Sequence, residues 1–144
     1  VRPGKPAIID VLEKCGCRVV VCPESDLGMG TVISWGVRNL LTWYPEAQSC
    51  VIALGDMPFI RPDTLRRVVD GLGTYDLVAP TYLGQRGHPV GFGRRHFPFL
   101  ATLSGESGAR ALFDHEAREW LPIPVDDSGV IRDIDVMADL PRSC

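Results

Sequence analysis

Four short stretches of this chain carry residues whose types and spacing could do chemistry. The first is Leu54-Gly55-Asp56-Met57-Pro58. An apolar run, Ser49 to Leu54, ends in glycine, then a carboxylate, then proline. Ligands of open α/β sheets bind beyond the carboxyl ends of strands, so Asp56 is expected at the rim of a sheet. The glycine would allow close approach of backbone, and the proline would stiffen the turn. A carboxylate so placed suits Mg²⁺, which takes one or two carboxylates together with waters and substrate phosphates. An aspartate that merely caps its turn explains the same residues as well. The second stretch is Asp133-Ile134-Asp135, from which at most one carboxylate is expected to join Asp56. A plain charged turn is the stronger reading of those residues alone. The third is Gly87-His88-Pro89-Val90-Gly91-Phe92. A lone histidine in such a loop is more often an exposed turn residue than a catalytic one, although the following proline holds it extended. The fourth is Ser104-Gly105-Glu106-Ser107-Gly108-Ala109-Arg110. Backbone N–H groups at a helix start could bind an anion there, with Arg110 one turn in, while Ser104 serves equally well as an ordinary helix cap.

Elements must position these groups. Residues 7–16 have helical apolar spacing with Gly16 as a stop. Residues 17–22, CRVVVC, read as a short buried strand ended by Pro23. A polar loop from Glu24 to Gly30 leads into a helix over 31–43, with Thr31 near its N-cap. Strands are expected at 49–54, 76–81 and 89–92, and a helix at 62–72 opened by Pro62. Helices around 94–101 and 106–117 follow, then a strand over 120–125 whose Pro122 and Pro124 mark it as an edge. Asp126 to Gly129 reads as a turn, and Ile131 to Ile134 as a segment pairing with its neighbour. Strands alternating with helices argue an α/β fold: a mostly parallel, Rossmann-like sheet with helices on both faces and antiparallel additions toward the C-terminus. No linker or repeat interrupts it, and 144 residues suit one domain.

Bulk composition narrows the function. The chain is 45% hydrophobic and 23% charged, ordinary for a globular protein. A net charge of −3 argues against a nucleic-acid binder, whose affinity rests on neutralising phosphates. No apolar stretch approaches the roughly 18 residues a membrane span needs, and no signal peptide is evident. Cys15, Cys17, Cys22, Cys50 and Cys144 are odd in number, and three crowd one stretch. That pattern fits reduced thiols in the cytoplasm better than a disulfide framework. His88, His96 and His115 lie too far apart in the sequence to complete a zinc site. The lack of a G-x-G-x-x-G after a strand argues against a dinucleotide oxidoreductase.

Taken together and in this order, the motifs resemble the MobA-like NTP transferase family, most nearly its molybdenum-cofactor cytidylyltransferases. The resemblance rests on Gly55-Asp56-Met57-Pro58, Gly87 to Phe92, Gly105 to Arg110, Asp133-Ile134-Asp135 with a short helix to Leu140, and the helix start Gly28-Met29-Gly30-Thr31. It covers nearly the whole chain from Val19 onward. The resemblance implies nucleotidyl transfer: CMP or GMP passes from CTP or GTP to a pterin, with release of pyrophosphate. It implies Mg²⁺ held by Asp56 with Asp135 or Asp133. It implies a base contacted by Gly28, Met29, Gly30, Thr31 and Ser34, and a pterin beside His88, Pro89, Gly105, Gly108 and Arg110. Glu106 stands where the family usually has aspartate. The family's opening strand and its Gly-rich, Arg- and Lys-bearing phosphate loop have no counterpart, so Val1 is expected just after the family's second strand. Weak or absent turnover follows for this chain, along with exposed apolar edges that favour a homo-oligomer or a partner such as a molybdoenzyme. Two rival functions remain: a non-catalytic binding module on the same fold, and a sugar-nucleotide transferase that would share Asp56 without needing His88 or Arg110.

Overall fold

A computed structural model describes residues 1–106, 108–115 and 120–136. They gather into two compact units: Val1–Ala47 with His96–His115, and Gln48–Arg95 with the described residues from 120 to 136.

In the first unit, α1 (Pro6–Lys14) has proline in its first turn and ends where Gly16 turns left-handed, at φ +78°. It buries none of its residues, and Ile8 and Val11 are exposed. Residues 17–22 do not form the expected strand. A strand needs a ladder along its length, and the neighbour in hydrogen-bonding position is Val1. Its ammonium donates to the Val20 carbonyl (2.7 Å), and its carbonyl accepts from Cys22 N–H (3.0 Å). Helix α2 (Met29–Trp43) starts two residues before the expected position, with Gly28 as N-cap. Gly30, Thr31, Ser34 and Val37 form its buried stripe, the spacing of one helical face. The helix expected over 94–101 is a 3₁₀ turn, Arg94–His96, followed by α4 (Phe97–Leu100). Pro98 has no N–H to give the Arg94 carbonyl, so an α-helical ladder cannot run through it. Arg38 of α2 donates from Nε (3.0 Å) and Nη2 (2.6 Å) to the Ala101 carbonyl, tying α2 to the end of α4. Helix α5 (Arg110–His115) begins four residues later than the sequence suggests.

The second unit is a five-stranded mixed sheet. Its strands are β1 (Ser49–Ile52), β2 (Leu77–Tyr82), β3 (Gln85–Arg86), β4 (Val90–Gly93) and β5 (Leu121–Pro124). The order is β1-β4-β2-β3, with β5 also on β2. Only the β2–β5 pair is parallel among the described residues, and the other three pairs are antiparallel. The α/β class therefore stands, but the parallel share is smaller than expected. Two reasons are local. Leu83-Gly84 reverses the chain directly from β2 into β3, and residues 17–22 supply no parallel strand. Ile131 to Ile134 forms no ladder; residues Ser128–Ile131 are a 3₁₀ helix instead. Helix α3 (Pro62–Gly71) packs Val68 against Val78 and Ile123, with Val51, Leu72, Leu121 and Val125 around them. Pro122 and Pro124 face solvent on either side of buried Ile123, as an edge strand allows. No helix among the described residues is long and apolar enough to cross a membrane.

Burial on β1 pushes the Cys50 thiol up to about 11. Cys15 and Cys17 are exposed. Iodoacetamide at pH 8 is therefore expected to alkylate Cys15 and Cys17 readily and Cys50 about a hundredfold more slowly, because the thiolate is the nucleophile. Peptide mass mapping over time checks this, and equal rates would contradict the burial of Cys50.

Candidate functional site

The Asp56 turn follows β1. Met57 N–H reaches back to the Leu54 carbonyl (3.4 Å), and the Met57 side chain is buried, so the turn is pinned while Asp56 stays exposed. Close backbone approach is not what Gly55 provides, since a Cβ there would meet nothing. The Asp56 carbonyl accepts from Ile134 N–H at 2.8 Å. That bond joins two acidic motifs 78 positions apart in the chain (134 − 56). Asp133 and Asp135 are exposed on either side of half-buried Ile134. Residues two apart on a strand share a side, so spacing by itself does not choose between Asp133 and Asp135 as the partner of Asp56. Among the described residues, no group of three or more His, Cys, Asp or Glu side chains could hold a metal by itself. The donor set fits a hard divalent cation that takes few protein carboxylates and completes its shell with water and phosphate oxygens.

A buried carboxylate that the sequence reading passed over organises this region. Asp127 is 4% exposed. Its Oδ2 accepts from Arg61 N–H (2.9 Å) and the Thr64 hydroxyl (2.6 Å), and its Oδ1 accepts from Gly129 N–H (3.1 Å). Arg61 Nε stands 3.8 Å away. Burial pushes this carboxyl up, but the Thr64 hydroxyl, the two backbone N–H groups and the Arg61 guanidinium outweigh it, and the net direction is down. Arg61 is the N-cap of α3 and has no capping side chain of its own. Helix starts leave N–H groups without intrahelical partners, and Asp127 supplies the acceptor from the far end of the chain. A helix opening Arg-Pro without Ser, Thr, Asp or Asn at its N-cap was the available signal.

The histidine turn packs on the same segment. Gly87 N–H donates to the Pro80 carbonyl (2.9 Å), and His88 N–H donates to the Val130 carbonyl (2.8 Å). Pro89 is fully buried. His88 is half-buried, not the exposed turn residue that the bland reading favoured, and its Nδ1 is buried without a protein partner. Burial, then the Arg86 charge, lowers its pKa below the usual 6.5, while the Asp56 carboxylate opposes them. The ring is accordingly neutral at pH 7. Between the unfolded value and the lowered folded value, the unfolded chain binds the extra proton, so stability falls as pH falls through that window. An NMR titration of the metal-free protein should place the His88 midpoint below 6.5, lower still in Asp56→Asn. A midpoint that rises in Asp56→Asn would rule out this arrangement of charges.

In the first unit, the expected base-contacting loop and the Gly105 loop meet. Gly30 N–H donates to the Gly105 carbonyl (2.8 Å), and Gly105 N–H donates to Thr31 Oγ1 (3.1 Å). Gly28, at φ +118°, has no room for a side chain: a Cβ would stand 2.5 Å from the Gly105 carbonyl carbon. Gly105 is itself left-handed, at φ +62°. The residues from Gly105 therefore form a turn rather than the helix start expected, and the Gly105 N–H is spent on Thr31. Ser34 is buried and donates to the Thr31 carbonyl (3.1 Å), so a base contact through its proton would have to replace that bond. Arg110, the first residue of α5, is exposed. Met29 Sδ lies 3.5 Å from where a Gly108 Cβ would be. The short helix expected up to Leu140, and Ser107, lie outside the described residues. A separate cavity of about 540 Å³ in this unit is lined by Val19, Trp35, Leu40, Trp43, Tyr44 and Arg18, among others, and by none of the loop residues above.

The chain is similar to several known proteins. The model of the MobA-like NTP transferase domain matches residues 1–120. Purine catabolism protein PucB of Bacillus subtilis (strain 168) is 31% identical over 116 residues, which are 80% of this chain and 55% of that protein. The chain thus spans about half the length of that curated relative. The crystal structure of Rv0371c from Mycobacterium tuberculosis H37Rv in complex with manganese is similar at a TM-score of 0.75 and 30% identity, covering 96% of this chain and 71% of that one. Molybdopterin-guanine dinucleotide biosynthesis protein A from Archaeoglobus fulgidus shares the fold, with a TM-score of 0.54 and 17% identity over 94% of this chain and 70% of that one.

Proposed function

Because the chain belongs to the MobA-like NTP transferase family, we propose that it binds a divalent-metal complex of CTP or GTP and serves nucleotidyl transfer to a pterin, with pyrophosphate as the leaving group. The observation that carries the reading is the Ile134–Asp56 hydrogen bond, which draws Asp133 and Asp135 to the turn bearing Asp56. That the similar Rv0371c was solved as a complex with manganese supports a divalent cation as a ligand. Mg²⁺ is the physiological choice proposed here, because its shell suits few carboxylates and several phosphate oxygens.

A phosphate oxygen of the pterin attacks the α-phosphorus, the bond to the β-phosphate oxygen breaks, and pyrophosphate leaves. Phosphoryl transfers of this kind depend on positioning and charge neutralisation more than on covalent help. The bound cation would neutralise charge developing on the α-phosphate. Asp56, with Asp133 or Asp135, fixes where that charge is met. The backbone of Gly28–Gly30 at the start of α2 offers the base a fixed edge. Neutral His88, through the ring nitrogen opposite its buried Nδ1, can hold the pterin by hydrogen bonding without adding charge. Exposed Arg110 can meet a phosphate of the acceptor. The odd number of cysteines, three of them crowded in one stretch, supports work in the cytoplasm.

Binding of the metal–nucleotide complex is the direct first measurement of this reading. Calorimetric titration with CTP and with GTP, each with Mg²⁺, Mn²⁺ or EDTA, tests the reading. Metal-dependent binding of either nucleotide supports it. Binding indifferent to metal would favour a non-catalytic module on the same fold. That second reading is favoured by one observation: the Gly105 N–H is occupied by Thr31 and is not offered to an anion.

A further inference from the structure

We infer that Thr31 is a positioning residue that latches the Gly105 turn onto the first turn of α2, so that the two loops expected to touch nucleotide and acceptor form one element. What the loops bind rests on the function proposed above. The latch rests on the hydrogen bonds alone.

The first turn of a helix leaves N–H groups that its own carbonyls cannot satisfy. Gly30, the second residue of α2, gives its N–H to Gly105. Thr31, the third, is 8% exposed and uses its hydroxyl oxygen to take the N–H of that same residue. One residue from 74 positions downstream of Thr31 thus gives both its polar backbone groups to α2. Two hydrogen bonds pointing in opposite directions fix orientation as well as distance, which one bond cannot do. Gly28 completes the contact: any side chain there would collide with the backbone of Gly105 and Glu106. Sequence alone placed Thr31 among the residues touching the base, yet its side-chain oxygen faces the loop that follows α4. A nucleotide that orders the Gly28–Thr31 loop must therefore order Gly105 with it, and an acceptor lodged at Gly105–Arg110 must feel the nucleotide.

Amide hydrogen exchange by NMR on the whole chain tests this, with Thr31→Val and Thr31→Ser. Valine matches threonine in shape but has no acceptor, leaving the Gly105 N–H unpaired; serine keeps the acceptor. Without ligand, Gly105 exchange is expected to rise about tenfold or more in Thr31→Val and to stay near the parent rate in Thr31→Ser, with amides in the second half of α2 unchanged. Unchanged Gly105 exchange in Thr31→Val overturns the latch. So does a uniform rise throughout the unit, which would mark a general loss of stability. With Mg²⁺ and CTP added, slowed exchange at Gly105 is expected in the parent and in Thr31→Ser but not in Thr31→Val. Equal slowing in Thr31→Val overturns the coupling. A parent chain whose amides ignore the nucleotide altogether counts against the proposed function, while the ligand-free comparison still decides the latch.

Discussion

Asp56→Ala is expected to weaken metal-dependent binding of CTP or GTP about a hundredfold or more, with little change in thermal midpoint. The size follows from the donor set. Altering groups that merely orient a metal's ligands already costs about 10- to 100-fold in affinity, and few protein carboxylates are available here to share the load. The small effect on stability follows from exposure: the Asp56 side chain faces solvent, and the bond that holds the turn to Ile134 uses its main-chain carbonyl, which alanine retains. Calorimetry with Mg²⁺ beside a thermal melt separates the two. Unchanged affinity in a variant that melts normally would remove Asp56 from the site. Lost affinity together with a large drop in melting temperature would show that the carboxylate serves structure. Asp133→Ala and Asp135→Ala, taken singly, are expected to differ, with the metal partner of Asp56 showing the larger loss.

Asp127→Ala should destabilise the protein by about 3 kcal/mol, since it leaves the N–H groups of Arg61 and Gly129 and the Thr64 hydroxyl without their shared buried acceptor. A change of that size corresponds to roughly 10 °C in melting temperature for a chain this long. The carboxyl's folded pKa is depressed. Its contribution is therefore fully present above the unfolded aspartate value of about 3.9 and is lost as pH falls below it through the folded value. The parent chain should lose this stability on acidification, whereas Asp127→Ala lacks it at every pH. The two denaturation curves should converge as the pH drops through that window. Curves that stay parallel down to the most acid condition would show that Asp127 is not held as a carboxylate by these donors. Because Asp127 anchors both the start of α3 and the 3₁₀ helix leading to Ile134, its loss should also weaken metal-dependent nucleotide binding, which Asp56→Ala weakens without unfolding.

Much of this molecule was legible before any coordinates. The proline at the start of α3, the glycine ending α1 and the edge strand carrying Pro122 and Pro124 were readable from local residue chemistry, because each depends on near neighbours in the chain, while the family was readable from several motifs in a particular order. Strand 17–22 was misread for the opposite reason: an apolar run has strand propensity, but a ladder needs a partner, and hydrophobic pattern says nothing of the partner's presence. The helix start at Gly105 was misread because two glycines suggest an anion-binding turn, whereas here their backbone groups are claimed by a helix far back in the sequence.

By itself, then, the sequence determined which residues are acidic, flexible or rigid and where the chain turns, since such properties are set within a few residues, and the order of its motifs along the chain pointed to the family. Only the tertiary structure decided that Asp56 and Ile134 share a hydrogen bond, that Asp127 rather than a local residue caps α3, and that Thr31 serves a loop instead of lying free for a ligand. Those are pairings between segments more than 60 positions apart, the shortest being the 63 positions from Thr64 to Asp127. They are selected by the need to satisfy every buried polar group at once, a condition that no single stretch of sequence contains.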